Sequence, residues 1–114
     1  MRRRPLYAVS LFSGAGGLDL GVERGGFTVR VQVEKDRWCV QTLRANRRYF
    51  RSGRLAVVQA DVRRTSPCAV LAAAGLRAGN VDLLVAGPPC QSFSSLGTRR
   101  GVRDLRGLLV YEFL

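Results

Sequence analysis

The sequence predicts an α/β protein built on a parallel sheet. Short apolar runs alternate with longer mixed segments four times along the 114 residues, and this alternation is typical of strand–helix–strand units. Glycine-rich or acidic residues follow each run, at the positions where the strands would end. Because ligands bind beyond the carboxyl ends of parallel strands, the same pattern predicts a site at that edge.

The first half of the chain predicts two strands and two helices. The apolar residues 7–12 are typical of a buried strand, and the sequence SGAGG that follows leads into a short helix ending at Gly25. Residues 28–33 alternate at a period of two, which indicates a second strand. Asp36 is a candidate cap for a helix that extends to about Phe50.

The second half continues the alternation. Ser66 followed by Pro67 is a typical helix start, because the hydroxyl accepts an unpaired N–H and proline has a suitable φ. The predicted elements are a third strand at 55–59, a helix from Pro67 that closes at Gly79, a fourth strand at 81–86, a polar loop at 87–103 and the start of a helix at Asp104.

The composition indicates a polyanionic partner and excludes several kinds of site. The net charge is +11, and all but one of the 19 basic residues are arginine, so nucleic acid is the expected partner. Histidine is absent, and the three cysteines are too widely spaced for a disulfide framework or a zinc site. No metal is therefore expected. The apolar runs are too short to span a bilayer, and we expect a cytoplasmic protein in a reducing environment.

The strand ends carry the features of a nucleoside site. Gly14 and Gly16 match the first two glycines of the dinucleotide fingerprint, but Asp19 stands at the third position, which favours a smaller nucleoside cofactor. Glu34 lies at the end of the second strand, where a carboxylate can accept hydrogen bonds from both ribose hydroxyls. Asp61 lies at the corresponding place on the third strand and can accept from an adenine amino group.

Cys90 is the candidate nucleophile. It lies in the sequence GPPCQSFS, where two prolines stiffen the chain immediately before it, and arginines follow in the loop. A thiol needs such polarisation, because only a few per cent of a free cysteine is thiolate at neutral pH. Cys39 and Cys68 fall within predicted helices and are interpreted as buried apolar residues.

These motifs together resemble a known family. The blocks FSGAGG at 12–17, Glu34, Asp61 with Val62, GPPCQSFS at 87–94 and DLRGLL at 104–109 are similar in order and spacing to the first five conserved blocks of the DNA (cytosine-5) methyltransferases. The resemblance covers about residues 9–109. It implies an incomplete Rossmann-like sheet of about four strands that binds S-adenosyl-L-methionine.

The resemblance also implies roles for individual residues. Cys90 would attack carbon 6 of a cytosine flipped out of double-stranded DNA. The cofactor would contact Phe12, Ser13, Gly14, Ala15, Gly16, Gly17, Leu18, Glu34, Asp61, Val62, Gly87, Pro89 and Leu109. The DNA would contact Gln91, Ser94, Arg99, Arg100, Arg103 and Arg106.

Several blocks of that family do not occur in these 114 residues. They are the Glu-Asn-Val block, a later arginine block, the target-recognition region and the terminal block. We therefore expect residues 1–114 to be the amino-terminal part of a catalytic domain, inactive alone, either as a truncated product or as one subunit that acts with a second polypeptide. Two alternatives remain: a transfer-RNA cytosine-5 methyltransferase, although Ser92 and Ser94 favour DNA, and a non-catalytic basic module that only binds nucleic acid.

Overall fold

The computed structural model describes residues 4–87, and within them four strands alternate with three helices. The elements in chain order are β1 (Leu6–Leu11), α1 (Gly17–Arg24), β2 (Phe27–Glu34), α2 (Arg37–Ala45), β3 (Ala56–Gln59), α3 (Pro67–Ala74) and β4 (Leu83–Ala86). Short 3₁₀ turns, Arg47–Tyr49 and Val62–Arg64, follow α2 and β3. The helix expected from Asp104 lies outside the described residues.

The four strands form one parallel sheet in the order β3-β2-β1-β4. The chain moves outward from β1 to β3 and then crosses back to place β4 on the other side of β1. Such a reversal leaves a crevice at the carboxyl ends of the two strands that flank it. Here those strands are β1 and β4, whose ends pair Leu11 with Ala86. The predicted α/β class and parallel sheet are confirmed.

A bulge interrupts β2 at Arg30. Ala8 pairs with Val29 while Val9 pairs with Val31, so Arg30 is an extra residue in the ladder. Val29 consequently packs with Ala8, on the face opposite to the one where Val31 packs with Val9. The strict alternation predicted for this strand is therefore wrong at this point, because a bulge shifts the following side chains to the other face.

Helix α1 ends at Arg24, next to the predicted Gly25, whereas α2 and α3 begin where the sequence predicts but end earlier. Asp36 accepts hydrogen bonds from the first turn of α2, and Ser66 does the same for α3. α2 ends at Ala45 instead of continuing to Phe50, since a 3₁₀ turn replaces its last turn. α3 ends at Ala74 because Gly75 has a left-handed φ of 68°, which stops the helix well before Gly79.

Two cysteines are less buried than expected. Cys39 is half-buried and Cys68 is exposed. Cys68 directly follows Pro67 in the first turn of α3 and is not on its buried face, which is formed by Val70 and Ala74. The interpretation of Cys68 as a core residue is therefore wrong.

Candidate functional site

The loop between β1 and α1 has a backbone that favours glycine. Phe12, Gly14 and Gly16 have φ values of 53°, 58° and 92°, in a region that strains any residue with a side chain. Gly16 also has no space for one, because a Cβ there would lie 2.8 Å from Cδ2 of Leu43 on α2. The close approach of this loop to α2 therefore requires glycine at position 16.

The amino end of α1, directly after this loop, has no side-chain cap in the described part of the chain. By contrast, Asp36 caps α2 and Ser66 caps α3. The first N–H groups of a helix have no partner within the helix and carry a partial positive charge. Ala15, Gly17 and Leu18 are exposed, so this helix end is accessible to a polar or anionic group of a ligand.

Glu34 connects the end of β2 to both neighbouring segments. Its Oε1 accepts a 2.8 Å hydrogen bond from the N–H of Gly14, and its Oε2 accepts one of 2.8 Å from the N–H of Asp36. The side chain is half-buried. A carboxylate offers about four lone-pair sites, and residues 4–87 use only two of them, so Glu34 can still accept hydrogen bonds from ligand hydroxyls.

The end of β3 lies next to Glu34. The N–H of Ala60 donates a 3.0 Å hydrogen bond to the backbone oxygen of Glu34. Asp61 follows, and its Oδ1 accepts a 3.0 Å hydrogen bond from the N–H of Arg63, capping the 3₁₀ turn. Val62 is buried in the core. The structure thus brings Glu34 and Asp61 to one edge of the sheet, as the sequence predicts.

Gly87, at the end of β4, lies beside the glycine-rich loop. Its N–H donates a 3.3 Å hydrogen bond to the backbone oxygen of Leu11, and a Cβ on Gly87 would be 3.6 Å from the backbone oxygen of Phe12. The GPPCQSFS block therefore starts next to the predicted cofactor loop. The predicted site residues that lie outside the described part of the chain are Pro89, Cys90, Gln91, Ser94, Arg99, Arg100, Arg103, Arg106 and Leu109.

A buried polar cluster lies beneath the loop, and we call its members, Ser10, Ser13, Asp19 and Gln32, the Asp19 cluster. Oδ1 of Asp19 accepts a 2.6 Å hydrogen bond from the hydroxyl of Ser10, and Oδ2 accepts one of 2.8 Å from Nε2 of Gln32. The hydroxyls of Ser10 and Ser13 are 2.8 Å apart and share a hydrogen bond. Burial raises the pKa of Asp19 above its ordinary value of 3.8, although the hydrogen bonds from Ser10 and Gln32 oppose this shift.

Sequence reasoning did not identify this cluster. From the sequence, Asp19 was notable only because it stands where the dinucleotide fingerprint has its third glycine. A signal was nevertheless present, since Ser10 is a polar residue within the strand that the sequence predicts to be buried, and buried polar groups need hydrogen-bonding partners. Asp19 lies in the first turn of the intervening helix, where its side chain can reach both Ser10 and Gln32.

An apolar cavity of about 290 Å³ lies on the α3 side of the sheet. It is lined by Val9, Leu11, Val62, Thr65, Pro67, Val70, Leu71, Val81 and Leu84. Only Val62 among these is a predicted cofactor residue, and the cavity offers few polar partners for a nucleoside. Parallel sheets are normally covered on both faces, so this cavity marks a part of the sheet that the described helices leave uncovered.

Among residues 4–87, no three histidine, cysteine, aspartate or glutamate side chains lie close enough together to hold a metal ion. None of the helices in this part of the chain is long and apolar enough to cross a membrane. They have eight or nine residues each, whereas a spanning helix needs about 20.

The parallel sheet, the glycine-rich loop after β1 and the acidic residues after β2 and β3 define an α/β protein with the architecture of nucleoside-binding domains. Comparison with known proteins gives the family. The model of the C-5 cytosine-specific DNA methylase family matches residues 6–114. The chain belongs to this family.

Individual relatives agree with this assignment. The chain is 44% identical over 106 residues to the Type II methyltransferase M.AquIA of Picosynechococcus sp., covering 93% of this chain and 41% of the relative. It is 42% identical over 104 residues to the Type II methyltransferase M.PspPI of Psychrobacter sp., covering 91% of this chain and 22% of the relative.

A crystal structure described as that of a DNA modification methyltransferase encoded within an Escherichia coli prophage superposes with a TM-score of 0.71 at 33% identity. The superposition covers 95% of this chain and 27% of that protein. The chain therefore spans less than half the length of each of these three proteins.

Proposed function

We propose that this chain supplies the cofactor-binding part, and the nucleophile, of an enzyme that transfers a methyl group from S-adenosyl-L-methionine to carbon 5 of cytosine in double-stranded DNA. Membership of the C-5 cytosine-specific DNA methylase family supports the reaction. The chain covers only 41% and 22% of two Type II methyltransferases. We therefore propose that it acts with further residues, on the same or a second polypeptide, that carry the missing blocks.

The observation that carries the cofactor assignment is the hydrogen bond between Glu34 and Gly14. It brings a carboxylate with unused acceptor capacity to the loop that precedes the uncapped end of α1. A nucleoside linked to an amino acid needs both features: acceptors for its ribose hydroxyls, and N–H donors for a carboxylate. The described residues therefore fit the proposed cofactor.

Each predicted cofactor residue has a role in this proposal. Glu34 accepts from the ribose hydroxyls, and Asp61 with Val62 lies at the adenine edge. Phe12 contacts the adenine ring. Residues 13–18 surround the amino-acid portion, and Gly87, Pro89 and Leu109 line the pocket near the sulfonium. When bound, the cofactor supplies an electrophilic methyl group.

Cys90 performs the covalent step in this mechanism. Its thiolate adds to carbon 6 of the cytosine, which makes carbon 5 nucleophilic enough to accept the methyl group. Carbon 5 then loses its proton to a base, and the electron pair restores the ring double bond and expels the thiolate. No Glu-Asn-Val block occurs in the 114 residues, so we propose that the glutamate that protonates the ring is supplied by residues other than these 114.

The cytosine has to leave the base stack before Cys90 can reach it, at a cost of a few kcal/mol. We propose that Gln91 occupies the vacated space and that Ser94 with Arg99, Arg100, Arg103 and Arg106 contacts the phosphates. The net charge of +11 supports association with DNA. In this proposal, the methylation of DNA takes place inside the cell.

The test is covalent trapping. The chain is combined with the part of the Psychrobacter relative that lies beyond the matched region, together with the cofactor and DNA that contains 5-fluorocytosine. Fluorine at carbon 5 blocks the final elimination, so a stable protein–DNA adduct is expected on a denaturing gel. Cys90→Ser abolishes the adduct, and Cys68→Ser is the matched control that leaves it unchanged.

Each other result has a definite meaning. An unchanged adduct yield with Cys90→Ser would remove this residue from the mechanism. Adducts that form with transfer RNA but not with DNA would replace the DNA substrate by RNA. DNA binding without any adduct from the unaltered chain would favour a non-catalytic binding module.

A further inference from the structure

Three members of the Asp19 cluster are enclosed, and the fourth, Ser13, is half-buried. Asp19 and Ser10 are each 1% exposed and Gln32 is 0% exposed. The two described ion pairs of the chain, Arg4–Asp82 and Arg51–Glu23, do not involve Asp19. A buried acidic group without a cation is costly to fold, and in the cluster it is stabilised by the donors of Ser10 and Gln32.

The cluster makes direct contact with the loop predicted to hold the cofactor. The Ser13 hydroxyl bonds to that of Ser10, which in turn donates to Asp19. The backbone of Ser13 is also fixed, since its N–H donates to the oxygen of Val33 and its oxygen accepts from the N–H of Gly16. Asp19 therefore acts on the first half of the loop through two hydroxyl groups.

Stability alone does not account for this arrangement. Apolar residues of similar size at these positions would pack α1 against the sheet without burying an acid. The cluster is also incompletely satisfied, because Oε1 of Gln32 is buried and has no partner among residues 4–87. The cluster does, however, fix the orientation of the Ser13 side chain. Through Ser13 it restricts the backbone conformation of residues 12–16.

We propose that Asp19 is a positioning residue for the cofactor loop, holding Ser13 through Ser10 so that the loop N–H groups are arranged before the cofactor binds. This inference rests on the proposed function, because it assigns the loop to the cofactor. It adds a residue that does not touch the cofactor but lowers the cost of ordering the loop around it.

Glu23 provides a matched control. It lies one turn after Asp19 on α1, is 4% exposed and also accepts two hydrogen bonds, from the N–H groups of Val29 and Arg51. Neither partner belongs to the loop. Glu23→Ala and Asp19→Ala therefore both remove a buried carboxylate from the same helix, but only the second change releases Ser10 and Ser13.

The first measurement is amide hydrogen exchange of the 114-residue chain without cofactor, followed by NMR. The exchange rate of the Gly16 N–H, divided by that of β2 amides in the same variant, corrects for any general loss of stability. We expect Asp19→Ala to raise this ratio by about tenfold, the effect of one lost hydrogen bond to a charged group. Ser10→Ala, which removes a single oxygen, raises it similarly, and Glu23→Ala leaves it unchanged.

The second measurement is the dissociation constant for S-adenosyl-L-methionine by calorimetry. We expect about tenfold weaker binding for Asp19→Ala and little change for Glu23→Ala. Asp19→Asn restores most of the affinity, because its Oδ1 can accept from Ser10 while its amide donates to the unpartnered Oε1 of a reoriented Gln32.

The two measurements separate two failures. An equal exchange ratio in Asp19→Ala, Ser10→Ala and Glu23→Ala would overturn the positioning role, whatever the cofactor result. If the unaltered chain binds no cofactor but the exchange ratio responds as expected, the positioning role stands and the cofactor assignment fails. If the cofactor binds equally to all variants, the cluster does not prepare the loop for it.

Discussion

The N–H of Gly14 donates a 2.8 Å hydrogen bond to Oε1 of Glu34, although the two residues are twenty positions apart. The bond joins the loop after β1 to the last residue of β2. The second oxygen of the same carboxylate accepts from Asp36 at the start of α2. One side chain thus orders three segments at the carboxyl edge of the sheet, where a ligand is expected.

This double role predicts the effect of changing Glu34. Glu34→Ala should weaken S-adenosyl-L-methionine binding by roughly 1.5–3 kcal/mol, the scale of hydrogen bonds to a charged group, and calorimetry measures it. Glu34→Gln keeps one acceptor oxygen and should lose less of the affinity for S-adenosyl-L-methionine. Asp36→Ala is the control: it removes the cap of α2 and should cost about 1 kcal/mol of stability with unchanged affinity. Full affinity in Glu34→Ala would refute the ribose assignment.

The amino-acid sequence was sufficient to predict this edge of the sheet. Each apolar run predicted a strand, and the parallel arrangement then placed Glu34 and Asp61 side by side. The bond to Gly14 was not predictable, because it depends on the left-handed φ of 58° at that glycine. Local sequence does not report such a conformation, since glycine is compatible with many others.

The contrast between two glycines of the same region gives a second prediction. Gly16→Ala introduces a Cβ 2.8 Å from Leu43 at a φ of 92° and should destabilise the fold by more than about 1 kcal/mol. A Cβ at Gly21, within α1, meets no atom of residues 4–87 within 4 Å, so Gly21→Ala should stabilise the helix by up to about 1 kcal/mol. Urea unfolding of both variants measures the difference. Similar changes in the free energy of unfolding for Gly16→Ala and Gly21→Ala would contradict the described conformation of the loop.

The parts of the fold that the sequence did not predict depend on long-range packing. The bulge at Arg30 changes the face of β2 and is visible only in its pairing with β1. The early end of α3 is set by Gly75, although Gly79 offered an equally good local signal. The nucleophile Cys90 remains a prediction, since it lies outside the described residues.

Thiol reactivity gives a third prediction. Burial raises the pKa of the Cys39 thiol, and the negative charges of Asp36 and Glu34 raise it further. Because the thiolate is the reactive form, Cys39 should react with Ellman's reagent more slowly than the exposed Cys68. A Cys90→Ser background leaves these two thiols for measurement, and Cys68→Ser identifies the slow one. Equal rates would mean that Cys39 does not lie beside the two carboxylates.

The fourth prediction concerns the other end of the sheet, where Asp82 connects the starts of β4 and β1. Its Oδ1 pairs with Arg4 at 2.6 Å, and its Oδ2 accepts a 2.8 Å hydrogen bond from the N–H of Tyr7. The hydrogen bond from the Arg4 guanidinium lowers the pKa of this carboxyl below its ordinary value of 3.8, and the Tyr7 N–H acts in the same direction. The folded chain therefore binds a proton at Asp82 less readily than the unfolded chain does.

The sign of the pH dependence follows from this difference. The stabilisation by Asp82 is fully present above pH 3.8 and is lost as the pH falls through the lowered pKa. Asp82→Asn should therefore be less stable than the unaltered chain at neutral pH. This difference in the free energy of unfolding should disappear in strong acid. Urea unfolding at low salt measures it, since salt screens an exposed pair.

The raised pKa of Asp19 has the opposite pH dependence, because a buried acid with a raised pKa favours folding only when it is protonated. The unaltered chain and the Asp82→Asn variant both contain Asp19, so its contribution cancels in the difference between their free energies of unfolding. Arg4→Gln removes the larger of the two causes and should lose most of this acid-sensitive stability, and the Arg4→Gln, Asp82→Asn double variant should lose little more than Asp82→Asn alone. A gap that persists unchanged in strong acid would show that Asp82 stabilises the chain by some means other than its charge.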